Sequence, residues 1–511
     1  MIEYSQQLFH IQILEAAQRF GNDIALTDEQ IGKNLTFIEL HELSYKFASG
    51  LLSLGAMKGD VLCVALENCP EYAIIFLGSA LIGCTISGIN PESTIYELEN
   101  YIDIINDVKF LISSADNYET VKNFIGRLAL IIIDKNPCQE GFDFMGLIYK
   151  SEPNYSLNEL YPISLDDTLI TPFSSGTTGA PKCVELSHRN FNASTAILKK
   201  AFFDELSRSN RRATIAILPF HHGSGFWALC FCLLEGHRTI IIRRFRPSIM
   251  MHCIDEYKVD TLNVVPSIIS YLCKSIENRN KWNISSLTTV LCGSAPLGKQ
   301  LSKLFLQLFP GVKNLIQGYG MTELVVLSHI TPIDTPMREE KYFGSCGKLM
   351  HGFQAKLIHS ESRKEINVPN EIGELLLKSE AIMKGYLNNR AATDNAIDTE
   401  GWLHTGDVAY YNEEGYYFIV DRLKDLIKVN GLQVCPSELE DLLKSHPNIA
   451  DAAVIGIPDE DHGQVGLHHL NILFAERVAP FKYLKGGIQI IESLPKTSNG
   501  KIKRQELIDL G

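Results

Sequence analysis

The chain has no pair of cysteines spaced C-x-x-C, although its 12 cysteines are scattered from Cys63 to Cys435, with only Cys230 and Cys232 close together. This excludes a zinc ribbon and a dithiol redox site, and it suits buried thiols in a reducing compartment. Long hydrophobic runs are missing too. The apolar run Phe226 to Leu234 stops at Glu235 and is too short to span a bilayer. The amino terminus, MIEYSQQLFHIQ, lacks a basic flank followed by an apolar stretch, and the carboxyl terminus, LIDLG, carries no S-K-L. No secretory signal is expected, so the cytosol is the default compartment, with the peroxisome left open. Positive charge is in deficit. The formal net charge is −13, against the basic face that nucleic acid would favour. No G-x-S-x-G elbow occurs, which disfavours a serine hydrolase. Internal repeats and low-complexity tracts are absent as well.

What is present is the composition of an ordinary soluble globular protein, 45% hydrophobic and 21% charged. At 511 residues the chain exceeds what one core usually serves, so two or more domains are expected. The first third alternates helical and strand patterns. Thr36 with Glu39, and Thr94 with Glu97, predict capping boxes, each opening an amphipathic helix. Val61–Leu66, Lys109–Ile112 and Leu128–Ile133 read as strands, and Pro70 to Leu81 reads as a helix. Ala213–Leu218, Thr239–Ile242, Thr261–Val265 and Leu287–Leu291 continue the rhythm, which argues for parallel α/β sheets. From about Tyr342 the texture changes to short strands and turns, the expected place of a more antiparallel, barrel-like piece. Asp421 to Gly431, DRLKDLIKVNG, reads as a charged linker to a small terminal domain.

One stretch cannot be core. Ser174 to Lys182 reads SSGTTGAPK, four hydroxyl side chains, two glycines and a lysine, with only Ala180 and Pro181 as apolar bulk. Its glycines let backbone N–H groups approach an anion closely, so a phosphate cradle competes with a solvated turn. It is not a Walker loop, because Pro181 precedes the lysine and Cys183 stands where a magnesium-binding Ser or Thr belongs. Four further stretches carry chemistry. His221-His222-Gly223 with Phe226 suits a pocket wall for a flat or acyl ligand or a structural histidine pair, and no third ligand supports zinc. Gln317-Gly318-Tyr319-Gly320-Met321-Thr322-Glu323 could stack a base, bond a phosphate and hold Mg²⁺, or form a loop with a helix cap. Gly401 to Asp407, GWLHTGD, offers a carboxylate on a glycine turn that could accept from ribose hydroxyls, or an ordinary turn. Pro495 to Lys501 ends in a lysine on a glycine turn, which taken alone reads as solvated.

Together, in order, SSGTTGAPK, QGYGMTE, GWLHTGD, DRLKDLIKVNG and KTSNGK resemble the signature of the acyl-adenylate-forming enzymes over nearly the whole chain. That family includes acyl-CoA synthetases, 4-coumarate–CoA ligases and beetle luciferases. His221-His222-Gly223, with Gly293-Ser294-Ala295-Pro296, is most similar to the ligase and luciferase branch. The resemblance implies an α/β fold. A large amino-terminal domain over residues 1–423 would hold two parallel-sheet subdomains and a distorted β-barrel, and residues 424–511 would form a small, mobile α+β domain.

It also implies an ATP- and Mg²⁺-dependent ligase that converts a carboxylic acid to an acyl-adenylate and then, with coenzyme A, to a thioester. Ser174, Ser175, Gly176, Thr177, Thr178, Gly179 and Lys182 would hold the β- and γ-phosphates. Gln317, Gly318 and Tyr319 would form the adenine site, with Tyr319 stacked on the base. Thr322 would contact phosphate, Glu323 would bind Mg²⁺, and Asp407 with Arg422 would hold the ribose. His222, Gly223, Phe226, Gly293, Ser294, Ala295 and Pro296 would line the acid pocket. Lys501 is the expected adenylation lysine and Lys428 its counterpart in thioester formation. Lys424 stands at the hinge position, and Gly431 and Gln433 accompany it on the side of the hinge and of CoA.

Two departures stand out. Cys183 replaces a glycine after the loop lysine. The segment near 466–476 is shorter than the pattern by about a strand, on the order of five or six residues, plus a loop. The alternatives are an adenylating enzyme with a non-CoA acceptor, as in luciferase-like chemistry, or, because of the shortening, an inactive nucleotide- or acyl-binding protein.

Overall fold

The structure is a computed structural model that describes residues 2–137, 139–174, 181–204, 212–274, 281–359, 362–429, 432–434, 436–444, 449, 451–459, 463–466, 489, 491, 493–496 and 502–510. For 158, 203, 428–429, 432–433, 438, 441–442, 458–459, 463–466, 505 and 509–510 it describes the backbone alone. Among these residues the strands form three sheets of 14, 9 and 4 strands.

Thr36 caps the helix Phe37–Ser53, its hydroxyl accepting from Glu39 N–H at 3.2 Å while Glu39 Oε2 accepts from Thr36 N–H at 2.8 Å. Thr94 and Glu97 repeat the exchange on Ile95–Ile105. Each exchange satisfies donors that a helix start would otherwise leave orphaned. The strand Val61–Ala65 is buried at every position, as is the helix Pro70–Leu81. Their apolar runs have no alternation because both faces are covered, as in a parallel sheet between helices.

In the nine-stranded sheet Thr85–Gly88, Val61–Ala65, Val108–Ser114, Ala129–Ile133 and Phe142–Asp143 run parallel. Lys182–Ser187 pairs antiparallel with Thr168–Ile170. The largest sheet has a parallel half. Ile24–Asp28, Arg238–Ile241, Ala213–Ala216, Thr261–Val264, Thr289–Cys292 and Asn314–Tyr319 lie side by side in that order.

The antiparallel half starts earlier than the texture of the sequence suggests. It begins at His329–Ile330, two residues too short to show any alternation, hydrogen-bonded to Gly318–Tyr319. The ladder then runs on through Gly347–Leu349, Tyr416–Arg422, Leu403–Tyr411, Gly373–Lys378, Gln354–Ile358 and Glu365–Ile366. The barrel-like piece is thus a continuation of the parallel ladder.

The linker expected over 421–431 is shorter than that. Asp421 and Arg422 pair with Val408 and Asp407 in the large sheet, and Ile427–Val429 already belongs to the four-stranded sheet. Strand pairing satisfies backbone groups that a solvated linker would leave to water. Leu432–Val434, Gly456–Asp459 and Gly463–Gly466 complete the small sheet. The shortening near 466–476 falls almost wholly outside the described residues.

Candidate active site

A cavity of about 880 Å³ opens where parallel strands of both large sheets end. Gly88, Val264 and Cys292 close their strands at its wall, and Gly318 lies one residue from the end of its own. Open α/β sheets bind ligands at this end, where backbone groups and loops diverge. Gly88 makes the junction possible. A Cβ there would lie 2.7 Å from both the His221 Cα and the Tyr72 hydroxyl, so only glycine lets this strand end approach the His221 backbone. Asn68 clamps the same junction, accepting from Phe220 N–H at 2.7 Å and donating to Leu218 O at 2.9 Å.

One side of the cavity is organised by charge. Asp407 and Arg422 are cross-strand partners, and their side chains meet at 3.0 Å. The Tyr319 hydroxyl donates to the second Asp407 oxygen at 2.6 Å. Burial and the neighbouring Asp407 carboxylate push the Tyr319 phenol well above its ordinary pKa, and Asp407 in turn raises that of Arg422. Tyr319 meets His329 edge-on, ring centroids 5.7 Å apart. Beside this chain, Glu323 Oε1 accepts from the Tyr386 hydroxyl at 2.9 Å, and Lys182 Nζ lies 4.9 Å over the Tyr386 ring. Burial, then Glu323, raises the Tyr386 phenol. Lys182 faces Ser174 across an antiparallel pair, so the two flanks of the glycine-rich stretch meet at the cavity wall.

The loop after Tyr319 is tight. A Cβ on Gly320 would lie 1.8 Å from Val326 O, and Val325 takes φ +67° with Val326 N–H bonded to Leu324 O at 2.8 Å. A β-branched residue in this γ-turn is strained.

The other side is neutral. His222 precedes the helix Gly223–Glu235 and its Nδ1 lies 3.1 Å from Ser224 Oγ. Burial holds His221 down to about 4, so its imidazole is neutral at ordinary pH. The Cβ direction of Gly223 faces Thr322 at 3.8 Å, and that of Gly293 faces Gly318 O at 3.7 Å. Ser294 takes φ +68°.

Of the residues singled out in the sequence, Ser174, Lys182, His222, Gly293, Ser294, Gly318, Thr322, Glu323 and Arg422 line the cavity. Tyr319 and Asp407 reach it through Arg422. Phe226 does not line it. The helix turns that ring into the core, edge-on to Phe76 at 4.7 Å, and presents Trp227 to the cavity instead. Ala295 and Pro296 are exposed outside it, and Gln317 is buried with Oε1 accepting from Leu297 N–H at 3.3 Å. Lys424 is exposed on the turn after Arg422. Ser175, Gly176, Thr177, Thr178, Gly179, Gly431 and Lys501 lie outside the described residues, as do the side chains of Lys428 and Gln433.

The structure adds residues to which the motifs assign no role. Tyr386 and Thr405 line the cavity, and so do Lys496 and Lys503 from the terminal segment. Lys496 pairs with Asp451, and Lys503 with Glu506 at 2.7 Å. Glu323 fits a magnesium role. Glu323 is 5% exposed and lies at the cavity wall, and among the described residues no cluster of three ligating side chains supplies a complete protein cage. Magnesium is bound by one or two carboxylates together with substrate phosphates and water.

Residues 13–387 match the family model of the AMP-binding enzyme, and residues 438–501 match that of the AMP-binding enzyme C-terminal domain. Among curated relatives, 4-coumarate–CoA ligase 3 of Arabidopsis thaliana is 35% identical, with 98% of this chain and 90% of that one aligned. Luciferin 4-monooxygenase of Photinus pyralis is 32% identical over 98% of this chain and 94% of its own. Among solved structures, o-succinylbenzoate CoA synthetase from Bacillus subtilis, in complex with its acyl-adenylate intermediate, is 25% identical with a TM-score of 0.82 over 97% of both chains. The same protein has been solved with ATP and a magnesium ion.

Proposed function

Because this chain belongs to the AMP-binding enzyme family, we propose that it joins a carboxylic acid to coenzyme A through an acyl-adenylate, using ATP. The observation that carries the reading is one cavity in which Tyr319–Asp407–Arg422 and Glu323–Tyr386–Lys182 stand side by side. A free carboxylate is a poor electrophile, and bringing it to a polyphosphate in a water-poor site needs cations and donors.

In the first step a carboxylate oxygen bonds to the α-phosphorus of ATP, the α–β P–O bond breaks, and pyrophosphate leaves. In the second, the thiolate of coenzyme A attacks the mixed anhydride's carbonyl and AMP leaves. Asp407 and Arg422 hold the ribose, Tyr319 stacks the base, and Ser174 to Lys182 holds the outer phosphates. Thr322 contacts phosphate. Glu323, fixed by Tyr386, would hold Mg²⁺, whose charge would offset that of the phosphates. The acid lies toward His222, Gly223 and Gly293. Lys501 bridges the carboxylate and the α-phosphate, and Lys496 and Lys503, which flank it, line the same cavity. Residues 424–511 form the moving part, pivoting at Lys424 near Gly431 and Gln433, with Lys428 serving the second step.

The test is pyrophosphate release from ATP with a panel of carboxylic acids, with and without CoA, beside Lys501→Ala. Acid-dependent release should fall in the variant by about 10²–10³, roughly 3–4 kcal/mol. AMP release that needs CoA supports the thioester step. AMP release indifferent to CoA points to another acceptor, and nucleotide binding with no release on any acid overturns the reading.

A further inference from the structure

The strands Ile427–Val429 and Leu432–Val434 lead into the helix Pro436–Lys444, and the amino end of that helix rests on the large sheet. Asp421 Oδ2 accepts from Ser437 N–H at 3.0 Å and lies 3.0 Å from the Ser437 hydroxyl, which also reaches Val420 O at 2.6 Å. The first N–H groups of a helix have no partner within it, and its dipole favours a carboxylate there, so Asp421 caps this helix from outside. Its other oxygen accepts from Arg422 N–H at 2.8 Å. One carboxylate thus joins the strand that carries Arg422 to the helix that follows the small sheet.

A second contact lies four residues on. Asp425 Oδ2 is 3.7 Å from Arg504 Nε, on the terminal helix Arg504–Leu510. Arg504 is fixed in turn by Glu440 and by Val454 O at 2.8 Å. The segment 421–425 is therefore held at both ends, in the orientation that brings Lys496 and Lys503 to the main cavity.

We propose that Asp421 is a positioning residue, which with Ser437 latches the moving part of the chain in the orientation for adenylation and must let go before the thioester step. This rests on the ligase reading above and adds the contact that sets the orientation. Asp421 is paired in the large sheet, whereas Ser437 follows the small one, so a pivot at Lys424 carries Ser437 away from Asp421. The latch touches no substrate. It sets the population of two orientations, and each half-reaction reads one of them.

The experiment uses the full chain with Ser437→Asp, Ser437→Ala and Asp421→Asn. A carboxylate at 437 suits the helix dipole, so the helix keeps its stability while two like charges face each other across the latch. The half-reactions are measured apart: pyrophosphate release from ATP and an acid, and thioester formation from CoA and the preformed acyl-adenylate of that acid. Ser437→Asp should slow the first about tenfold and leave the second unchanged or faster, with an unchanged melting temperature. Ser437→Ala and Asp421→Asn should each slow the first about threefold, and together by less than the product of the two, because they remove one contact. Equal losses in both half-reactions, a loss in the second alone, or no loss in either overturns the latch. Hydrogen exchange of the nucleotide-free protein reads the contact without chemistry. If no acid yields pyrophosphate from the unaltered chain, the ligase reading fails and exchange alone decides. Exchange at residue 437 and over 421–426 that quickens about tenfold in Ser437→Asp supports the latch, and unchanged exchange overturns it.

Discussion

The two sides of the cleft are built by different physics. The side we assign to the nucleotide is set by strand register. Asp407 and Arg422 face each other across an antiparallel pair, so their side chains can hardly avoid meeting, and Tyr319 closes the chain at 2.6 Å. The side we assign to the acid is set by turns and a helix start: His221-His222 before Gly223, Ser294 at φ +68° and Val325 at φ +67°. Register fixes an arrangement through many backbone bonds, whereas a strained turn persists only because its surroundings hold it. A charged ligand common to a family suits the first kind of wall. A variable acid suits the second, where a single residue reshapes the pocket without disturbing the ladder.

The comparison breaks hardest at Asp407. Asp407→Ala leaves the half-buried Arg422 guanidinium and the Tyr319 hydroxyl without their shared acceptor. A hydrogen bond to a charged group is worth about 1.5–3 kcal/mol, and Asp407 accepts two. The expected result is a large loss of ATP affinity, on the order of a hundredfold or more in KM, with a lowered melting temperature. An unchanged KM for ATP would mean that register does not organise this side. Tyr386→Phe should cost less. The phenyl ring stays over Lys182 while Glu323 loses its donor, and a hydrogen bond to a charged group is worth about 1.5–3 kcal/mol. Adenylation should fall about ten- to a hundredfold, with a changed dependence on Mg²⁺ concentration. A rate equal to that of the unaltered chain would remove Tyr386 from the site.

Protonation sharpens the contrast further. His329 is fully buried behind Tyr319, and burial holds it down to about 3. Between the unfolded value of about 6.5 and that folded value, the unfolded chain binds a proton that the folded chain does not. Its contribution is therefore complete above pH 6.5 and is lost as pH falls, by up to about 1.4 kcal/mol per pH unit. Urea midpoints between pH 7.5 and 5 should fall less steeply in His329→Phe. Parallel curves would show that His329 takes up a proton within the fold.

Much of the fold was legible because its signals are local. The Thr36–Glu39 and Thr94–Glu97 exchanges are three residues long, and the apolar runs of Val61–Ala65 and Pro70–Leu81 record their burial directly. The candidate cavity was legible where a motif residue lines it, as at Glu323 and Arg422. It was not legible where only register or chain direction decides. Nothing in GWLHTGD says that Asp407 faces Arg422, and Tyr386 is a lone aromatic whose partner, Glu323, is 63 residues away. Phe226 was assigned to the pocket from its neighbours, but one helical step separates the face that meets Phe76 from the face that carries Trp227. The early antiparallel turn at His329–Ile330 is too brief for period-two alternation to register.

The smallest effect is the most direct probe of the acid side. Val325 and Val264 are both buried to within 1% exposure, and both line the main cavity. They differ in backbone. Val264 ends the strand Thr261–Val264, whereas Val325 sits at φ +67°, where a branched side chain crowds its own backbone. Replacing either by glycine removes similar apolar burial and adds similar unfolded-chain freedom, so those two costs nearly cancel in the comparison. What remains is strain, which glycine relieves only at 325. Val325→Gly should therefore destabilise by about 1 kcal/mol less than Val264→Gly in urea unfolding. Equal losses would show that the γ-turn stores no strain, and the acid side would then be held as firmly as the strand ladder opposite.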